Sequence, residues 1–236
     1  MLKIRHIAKP RTVSCKHYET DKIHNMNVKE AYKNWSKQYD NNINKTRDLE
    51  AISLRNLLSE IKFEKCLEIG CGTGKNTEWL VTKGNYILAV DISDEMLSIA
   101  KQKITDKSVS FIKADLSEKW DFTSEKFDLI VCSLVLEHIE NINIIIKQIS
   151  QHLINGGILY IGELHPFKQY TGSKPKFETD EGEQIVTAFT HHISDFTNAA
   201  KDHGLEIEII KEYFDNNDRS NPPRILSLKF KKVIIY

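Results

Sequence analysis

The sequence lacks any cysteine pair at the spacing of a zinc site or a disulfide framework. Its four cysteines, Cys15, Cys66, Cys71 and Cys132, are scattered with no C-x-x-C among them, which supports neither arrangement. Long apolar runs are missing too, and nothing approaches the roughly 18 residues of a membrane span. The opening stretch MLKIRHIAKPRTVSCKHYETDK is basic but contains no apolar core of the kind that directs secretion. The expectation is a cytoplasmic protein with reduced thiols, no metal and no membrane partner. An excess of one charge is also absent, since lysine plus arginine total 33 and aspartate plus glutamate total 33. Nucleic-acid binders ordinarily carry a basic surplus, so this balance counts against nucleic acid as a partner. No internal repeat at a solenoid period is present.

What is present has the size and texture of one α/β unit with appendages. The chain has 236 residues, 40% hydrophobic and 28% charged, enough to bury a sizeable core. Residues 1–27 are polar and aperiodic and read as an N-terminal arm. Residues 28–62 read as a helical lid, with one helix over Val28–Tyr39 and another over Arg47–Ile61 bearing Leu54, Leu57, Leu58 and Ile61 on one face. Residues 63–236 read as the core, opening with a short apolar strand at Lys65–Ile69, the glycines, and a helix over Asn76–Lys83 closed by Gly84. Strand-like runs follow at Tyr86–Ile92, Val109–Asp115, Phe127–Val135 and Ile158–Leu164, with helices between them and Ser93 capping one. Gly156-Gly157 is expected to break the helix that carries Ile142, Ile145, Ile146 and Ile149. Continuous apolar strands alternating with helices predict a parallel sheet covered on both faces. An insertion at about 165–193 interrupts that rhythm with turn formers and aromatics. Beyond a helix near Ser194–His203, two strands at Glu206–Phe214 and Ile225–Ile234 predict an antiparallel hairpin at the end of the sheet.

The chemistry concentrates in LEIGCGTGKN, Leu67–Asn76. A phosphate-binding G-x-x-x-x-G-K-[ST] loop is excluded, because Ile69 stands five before Gly74 and Asn76 replaces the hydroxyl residue. The dinucleotide pattern G-x-G-x-x-G fits at Gly70 and Gly72 but meets Lys75 at its third position. What remains is E-x-G-x-G-x-G from Glu68 to Gly74. Asp91 ends the next strand and Asp115 the one after, so three successive strand ends carry groups suited to a ligand.

E-x-G-x-G-x-G followed by these two acids resembles the class I S-adenosylmethionine-dependent methyltransferases. CSLVLEHIE (Cys132–Glu140) and LINGGILYIGE (Leu153–Glu163) extend the resemblance to about Leu67–Glu163. The resemblance implies a Rossmann-like, mostly parallel seven-stranded sheet with an antiparallel last strand and helices on both faces. It implies S-adenosylmethionine as cofactor, with Glu68, Gly70, Cys71, Gly72 and Gly74 in the loop. Asp91 is expected on the ribose hydroxyls, since two acceptor oxygens suit a vicinal diol. Asp115 is expected on the adenine amino group, Ile92, Met96 and Leu116 around the purine, and Ser133 beside the methionine half. Trp35, Tyr39 and Arg47 are placed at the methionine end, with Arg47 pairing its carboxylate. The acceptor is expected among Trp35, Tyr39, His165, Tyr170, His191 and His192, with His165 and His192 as candidate proton acceptors. HPFKQY, HHISDF and TRDL resemble small-molecule methyltransferases near the toxoflavin-type azapteridine N-methyltransferases.

The implied reaction is methyl transfer to a nitrogen or oxygen of a small molecule, by a monomer or homodimer. An amino DNA methyltransferase is excluded, since Asn221-Pro222-Pro223-Arg224 lies far from the fourth strand and lacks an aromatic residue. A tRNA methyltransferase using Lys3, Arg5, Lys9, Arg11 and Lys16, a protein methyltransferase, and a non-catalytic cofactor-binding protein remain as alternatives.

Overall fold

The structure, a computed structural model, describes residues 25–26, 44–179 and 182–233. The expected helix over Val28–Tyr39, with Trp35 and Tyr39, lies outside the described residues. So does the N-terminal arm, apart from a two-residue strand β1 (Asn25–Met26).

One seven-stranded sheet forms the body. Its strands are β2 (Lys65–Ile69), β3 (Tyr86–Asp91), β4 (Val109–Lys113), β5 (Phe127–Ser133), β6 (Leu153–Leu164), β9 (Leu205–Tyr213) and β10 (Ile225–Lys232), in the order β4-β3-β2-β5-β6-β10-β9. The pairs among β2 to β6 are parallel, and β10 runs antiparallel between β6 and β9. The expected terminal hairpin is therefore present, with its second strand inserted inside the sheet.

Alternation along each strand sorts the core into two layers. Leu67, Ile69, Leu88, Val90, Ile130, Cys132, Leu159 and Ile161 face α4 (Ile142–His152) and α6 (Ile193–Asp202), which supply Ile145, Ile146, Ile149, Phe196 and Ala200. Cys66, Ile87, Leu129, Val131 and Tyr160 face α1 (Lys45–Leu58) and α2 (Thr77–Leu80), which supply Leu54, Leu58 and Leu80. On that same side Leu97 of α3 (Asp94–Lys103) packs on Ala89 and Cys71. The Asn44 side chain caps α1, accepting from the backbone N–H of Thr46 and Arg47 at 3.0 and 3.1 Å. Asn44→Ala is expected to cost about 1 kcal/mol in urea unfolding.

Three expectations are corrected. The helix after the glycine loop spans Thr77–Leu80 rather than Asn76–Lys83, with turns on either side. Gly156-Gly157 does not break a helix, because α4 already ends at His152 and both glycines lie within β6. They accompany a register shift against β5 between Phe127 and Leu129, which puts Phe127 on the opposite face from Leu129. The insertion also carries more regular structure than its weak periodicity indicated. It contains α5 (Pro166–Tyr170) and the antiparallel strands β7 (Lys176–Thr179) and β8 (Gly182–Val186), the latter paired in parallel with β1. Among the described residues no helix is long and apolar enough to cross a membrane.

Candidate functional site

A cavity of about 440 Å³ opens over the carboxyl ends of the parallel strands, where ligands bind in open α/β sheets. The crevice exists because the loops after β2 and β3 sit on one side of it and the β5–α4 connection on the other. After β2 the chain turns sharply at Gly70, where φ is +73° and an added Cβ would stand 2.1 Å from a Val135 methyl. Its N–H and that of Cys71 both donate to Val90 O, at 2.7 and 3.0 Å. Gly72 also has positive φ, +54°, and open space where a side chain would project. This loop thus presents bare backbone to the cavity.

Asp91 ends β3 at the cavity wall. Its Oδ2 accepts from Gly72 N–H and its Oδ1 from Ser93 N–H, both at 2.9 Å. The Ile92 N–H also favours the charged form, and the roughly four acceptor positions of a carboxylate leave room for a further donor. Burial pushes its pKa up, against those backbone bonds, so two hydroxyl donors would compensate the lost hydration. One strand further on, Asp115 uses Oδ1 to accept from both the N–H and the hydroxyl of Ser117. Ser133 at the end of β5 contributes a hydroxyl oxygen that is buried and has no hydrogen-bond partner. A carboxylate suited to a diol, an orphaned hydroxyl and a bare glycine loop form a donor and acceptor set that fits a nucleoside with a polar tail.

The opposite wall is held by an acid absent from the sequence expectations as a ligand or a support. Glu163, 2% exposed on β6, uses Oε1 to accept from the N–H groups of Val135 and Leu136 at 3.0 and 2.9 Å. This holds Leu134 at φ +56°, a conformation costly for leucine, and turns Leu134 and Val135 into the cavity. Burial, with the Glu137 charge adding to it, pushes the Glu163 pKa well up. An acid inside the apolar run ILYIGEL was the signal available in the sequence.

Of the expected cofactor residues, Gly70, Gly72, Asp91, Ile92, Asp115, Leu116 and Ser133 line the cavity together. Glu68 lies beneath the loop, 3% exposed, and accepts from Thr77 Oγ1 at 2.5 Å. Its carboxyl is pushed up to about 8, first by burial and further by the charges of Glu50 and Asp91. Cys71 packs on Ala89 and Leu97, Gly74 lies against Ile104 and Ala100 of the next helix region, and Met96 is 1% exposed in the core. Arg47 is buried on α1. None of these five lines the cavity.

The acceptor candidates divide. His165 caps α5: its Nδ1 accepts from Phe167 N–H, so Nε2 carries the proton and donates to Glu212 Oε1 at 3.1 Å. Burial lowers its pKa. His191 is buried, and its Nε2 meets the carbonyls of Leu136 and Ile139 at 3.0 and 2.8 Å, fastening the insertion to the cavity wall. His192 is exposed and its Nδ1 pairs with the Tyr170 hydroxyl at 2.5 Å. None of these four residues lines the cavity, whereas Phe189 and His138, with Ile139, Glu140, Asn141 and Ile144, do. His138 is held by Nδ1 donating to Thr187 O at 3.0 Å, and burial lowers its pKa.

Residues 67–161 match the methyltransferase domain family. That segment of the chain is similar to methyltransferase domains. A malonyl-[acyl-carrier protein] O-methyltransferase of Priestia megaterium is 32% identical over 142 residues, which is 58% of this chain and 51% of that protein. The chain thus spans about half the length of the curated relatives it matches. A solved S-adenosylmethionine-dependent methyltransferase from Listeria monocytogenes superposes with a TM-score of 0.66 at 18% identity, covering 79% of this chain and 99% of its own. The N-methyltransferase NodS from Bradyrhizobium japonicum, solved with S-adenosyl-L-homocysteine, gives 0.62 at 21%, covering 82% and 91%. At those identities the structural likeness is one of fold. The domain match ends at residue 161, ahead of the α5–β8 insertion.

Proposed function

We propose that the protein transfers a methyl group from S-adenosylmethionine to a nitrogen or oxygen of a small molecule. The observation that carries this reading is Asp91, a half-buried carboxylate at the cavity wall that holds the backbone N–H groups of Gly72 and Ser93 and retains acceptor capacity. When bound, the cofactor supplies an electrophilic methyl group on a sulfonium. Asp91 accepts from the two ribose hydroxyls, and Asp115 accepts from the adenine amino group. Ile92 and Leu116 flank the purine. Ser133 and the Gly70–Gly72 backbone receive the amino-acid end. Leu134, Val135, Ile139 and Phe189 give the cavity apolar walls that exclude water from a direct displacement, where alignment of donor and acceptor supplies much of the rate.

The charge of the cavity supports an acceptor that is uncharged or cationic at its reacting end. Beyond Asp91 and Asp115, which hold the cofactor, the ionisable groups among the described residues that line it are Glu140 and His138, with no lysine or arginine. The O-methyltransferase and N-methyltransferase names of the relatives both agree with a nucleophilic nitrogen or oxygen.

The test is calorimetric titration with S-adenosylhomocysteine, with NADH and ATP as controls. Micromolar affinity for the first alone is the expected result, followed by turnover on phenols or heterocyclic amines. Equal or absent binding of all three ligands would remove the cofactor assignment.

A further inference from the structure

Glu50 lies on the buried side of α1, 2% exposed, and was not among the residues singled out in the sequence. Its Oε2 accepts from Asn76 Nδ2 and its Oε1 from the Tyr160 hydroxyl, each at 3.1 Å. Tyr160 continues to Ser53 Oγ at 2.7 Å and Ser53 to Ser227 Oγ at 2.9 Å. Lys75, whose positive charge Glu50 senses, is engaged with Asp48. The Ser133 hydroxyl lies beside the carboxylate and opposes the rise that burial gives its pKa, and no donor reaches its oxygen. This network ties α1 to β6 and β10, and it also reaches the two connections that frame the inner cavity: Asn76 after β2 and Ser133 at the end of β5.

Tying α1 to the sheet does not account for the whole arrangement. Asn76 Oδ1 and Ser133 Oγ are both buried without a partner, and both residues flank the same carboxylate. Buried polar atoms are ordinarily satisfied, so two orphans beside one negative charge indicate a missing donor. The niche is also built at a cost in side-chain freedom: a Cβ on Gly162 would stand 2.6 Å from Glu50 Oε1 and 2.6 Å from the Tyr160 hydroxyl. A hydroxyl oxygen at the cavity wall and a buried amide oxygen, both beside one carboxylate, suit the N–H groups of a cation.

The sheet order indicates which part of a ligand arrives there. Asp115 follows β4 and Asp91 ends β3, the next two positions being β2 and β5. On the S-adenosylmethionine reading, on which this inference rests, base and ribose lie over the first two strands. The amino-acid tail, with its ammonium group, then lies over β2 and β5. We propose that Glu50 is a positioning residue that, through Ser133 and Asn76, fits the inner cavity to ligands bearing a charged amino-acid tail.

The experiment compares two ligands that share a nucleoside, S-adenosylhomocysteine and 5′-methylthioadenosine, the second lacking the amino-acid tail. Calorimetric affinities are measured for the wild type, Glu50→Gln, Ser133→Ala and the double variant. Glu50→Gln should weaken S-adenosylhomocysteine by about tenfold or more, because the negative charge behind Ser133 and Asn76 is removed, and leave methylthioadenosine within about twofold. Ser133→Ala should show the same selectivity, and the double variant should lose less than the sum of the two singles. Equal losses for both ligands, or no loss for either, would overturn the proposal, because a merely structural Glu50 cannot distinguish them. Should Glu50→Gln fail to fold, the ligand comparison on Ser133→Ala decides alone, and an unselective result there overturns it equally. A wild-type protein that binds neither ligand overturns the methyltransferase reading and this proposal together, whereas one that binds both with unselective variants overturns this proposal only.

Discussion

Asp91→Ala should lower affinity for S-adenosylhomocysteine on the order of a hundredfold, about 3 kcal/mol. Two hydroxyl bonds to a carboxylate would be lost, each a charge-assisted contact in a site withdrawn from water. The substitution also releases the N–H groups of Gly72 and Ser93, which Asp91 now receives at 2.9 Å, so part of the effect comes from a looser glycine loop. Asp91→Asn separates the two contributions, because an amide oxygen still accepts while its NH₂ group faces donors. The amide variant should retain the fold and still lose most of the affinity. Calorimetry reads the binding and urea unfolding reads the fold. A folded Asp91→Ala protein with unchanged affinity would sink the ribose assignment.

The second large effect concerns pH. Glu68 has its folded pKa raised from 4.5 to about 8, so between those values the folded protein keeps a proton that the unfolded chain has released. Stability from this group is complete below about pH 4.5 and is lost as pH rises toward 8. The loss is on the order of 3–5 kcal/mol for a fully buried acid. Burial raises Glu137 and Glu163 in the same direction. His138 and His165, whose pKa values are lowered, act oppositely and remove stability as pH falls below about 6.5. The wild-type curve alone mixes these effects, but its difference from Glu68→Gln isolates one group. Glutamine can still accept from Thr77 and cannot ionise. Glu68→Gln should match the wild type near pH 5, gain on it steadily to pH 8, and hold a constant advantage above. Parallel unfolding curves across that range would mean that Glu68 titrates normally in the folded protein.

The parts of this molecule that could be read from its sequence are those governed by periodicity. The apolar runs at Tyr86–Ile92 and Phe127–Val135 correspond to β3 and β5, and the runs after residue 204 correspond to the β9–β10 hairpin. The α5–β8 insertion was opaque because it builds a small separate sheet with β1, whose pairing partners are distant in sequence. At the site, strand ends were legible because a strand's direction fixes where its last residue points. Which side of a loop faces the crevice was not. Cys71 stands between two lining residues and Met96 one helical turn beyond Ile92, and both turn into the core. Glu50 and Glu163 escaped notice for a different reason: glutamate is ordinarily solvated, and only its place within an apolar pattern marks it as buried. His165 and His191 are of a type suited to hold an acceptor, but a backbone amide and two carbonyls engage their ring nitrogens.

The position of β10 has a consequence for how the chain is made. Residues 225–232 supply an interior strand, bonded to β6 on one side and β9 on the other, although they follow every other described strand in sequence. A nascent chain emerging from the ribosome can pair β2 through β6 while residues beyond 200 are still being added. β9 has no neighbour to join until residue 232 has emerged, and the outer edge of β6, with Leu159 and Ile161, stays open meanwhile. The protein therefore passes through a stage with an unsealed apolar edge, the kind of intermediate that pairs with other chains. Slow synthesis across residues 205–232 should prolong that stage and favour aggregation, even though the finished fold has no such opening there.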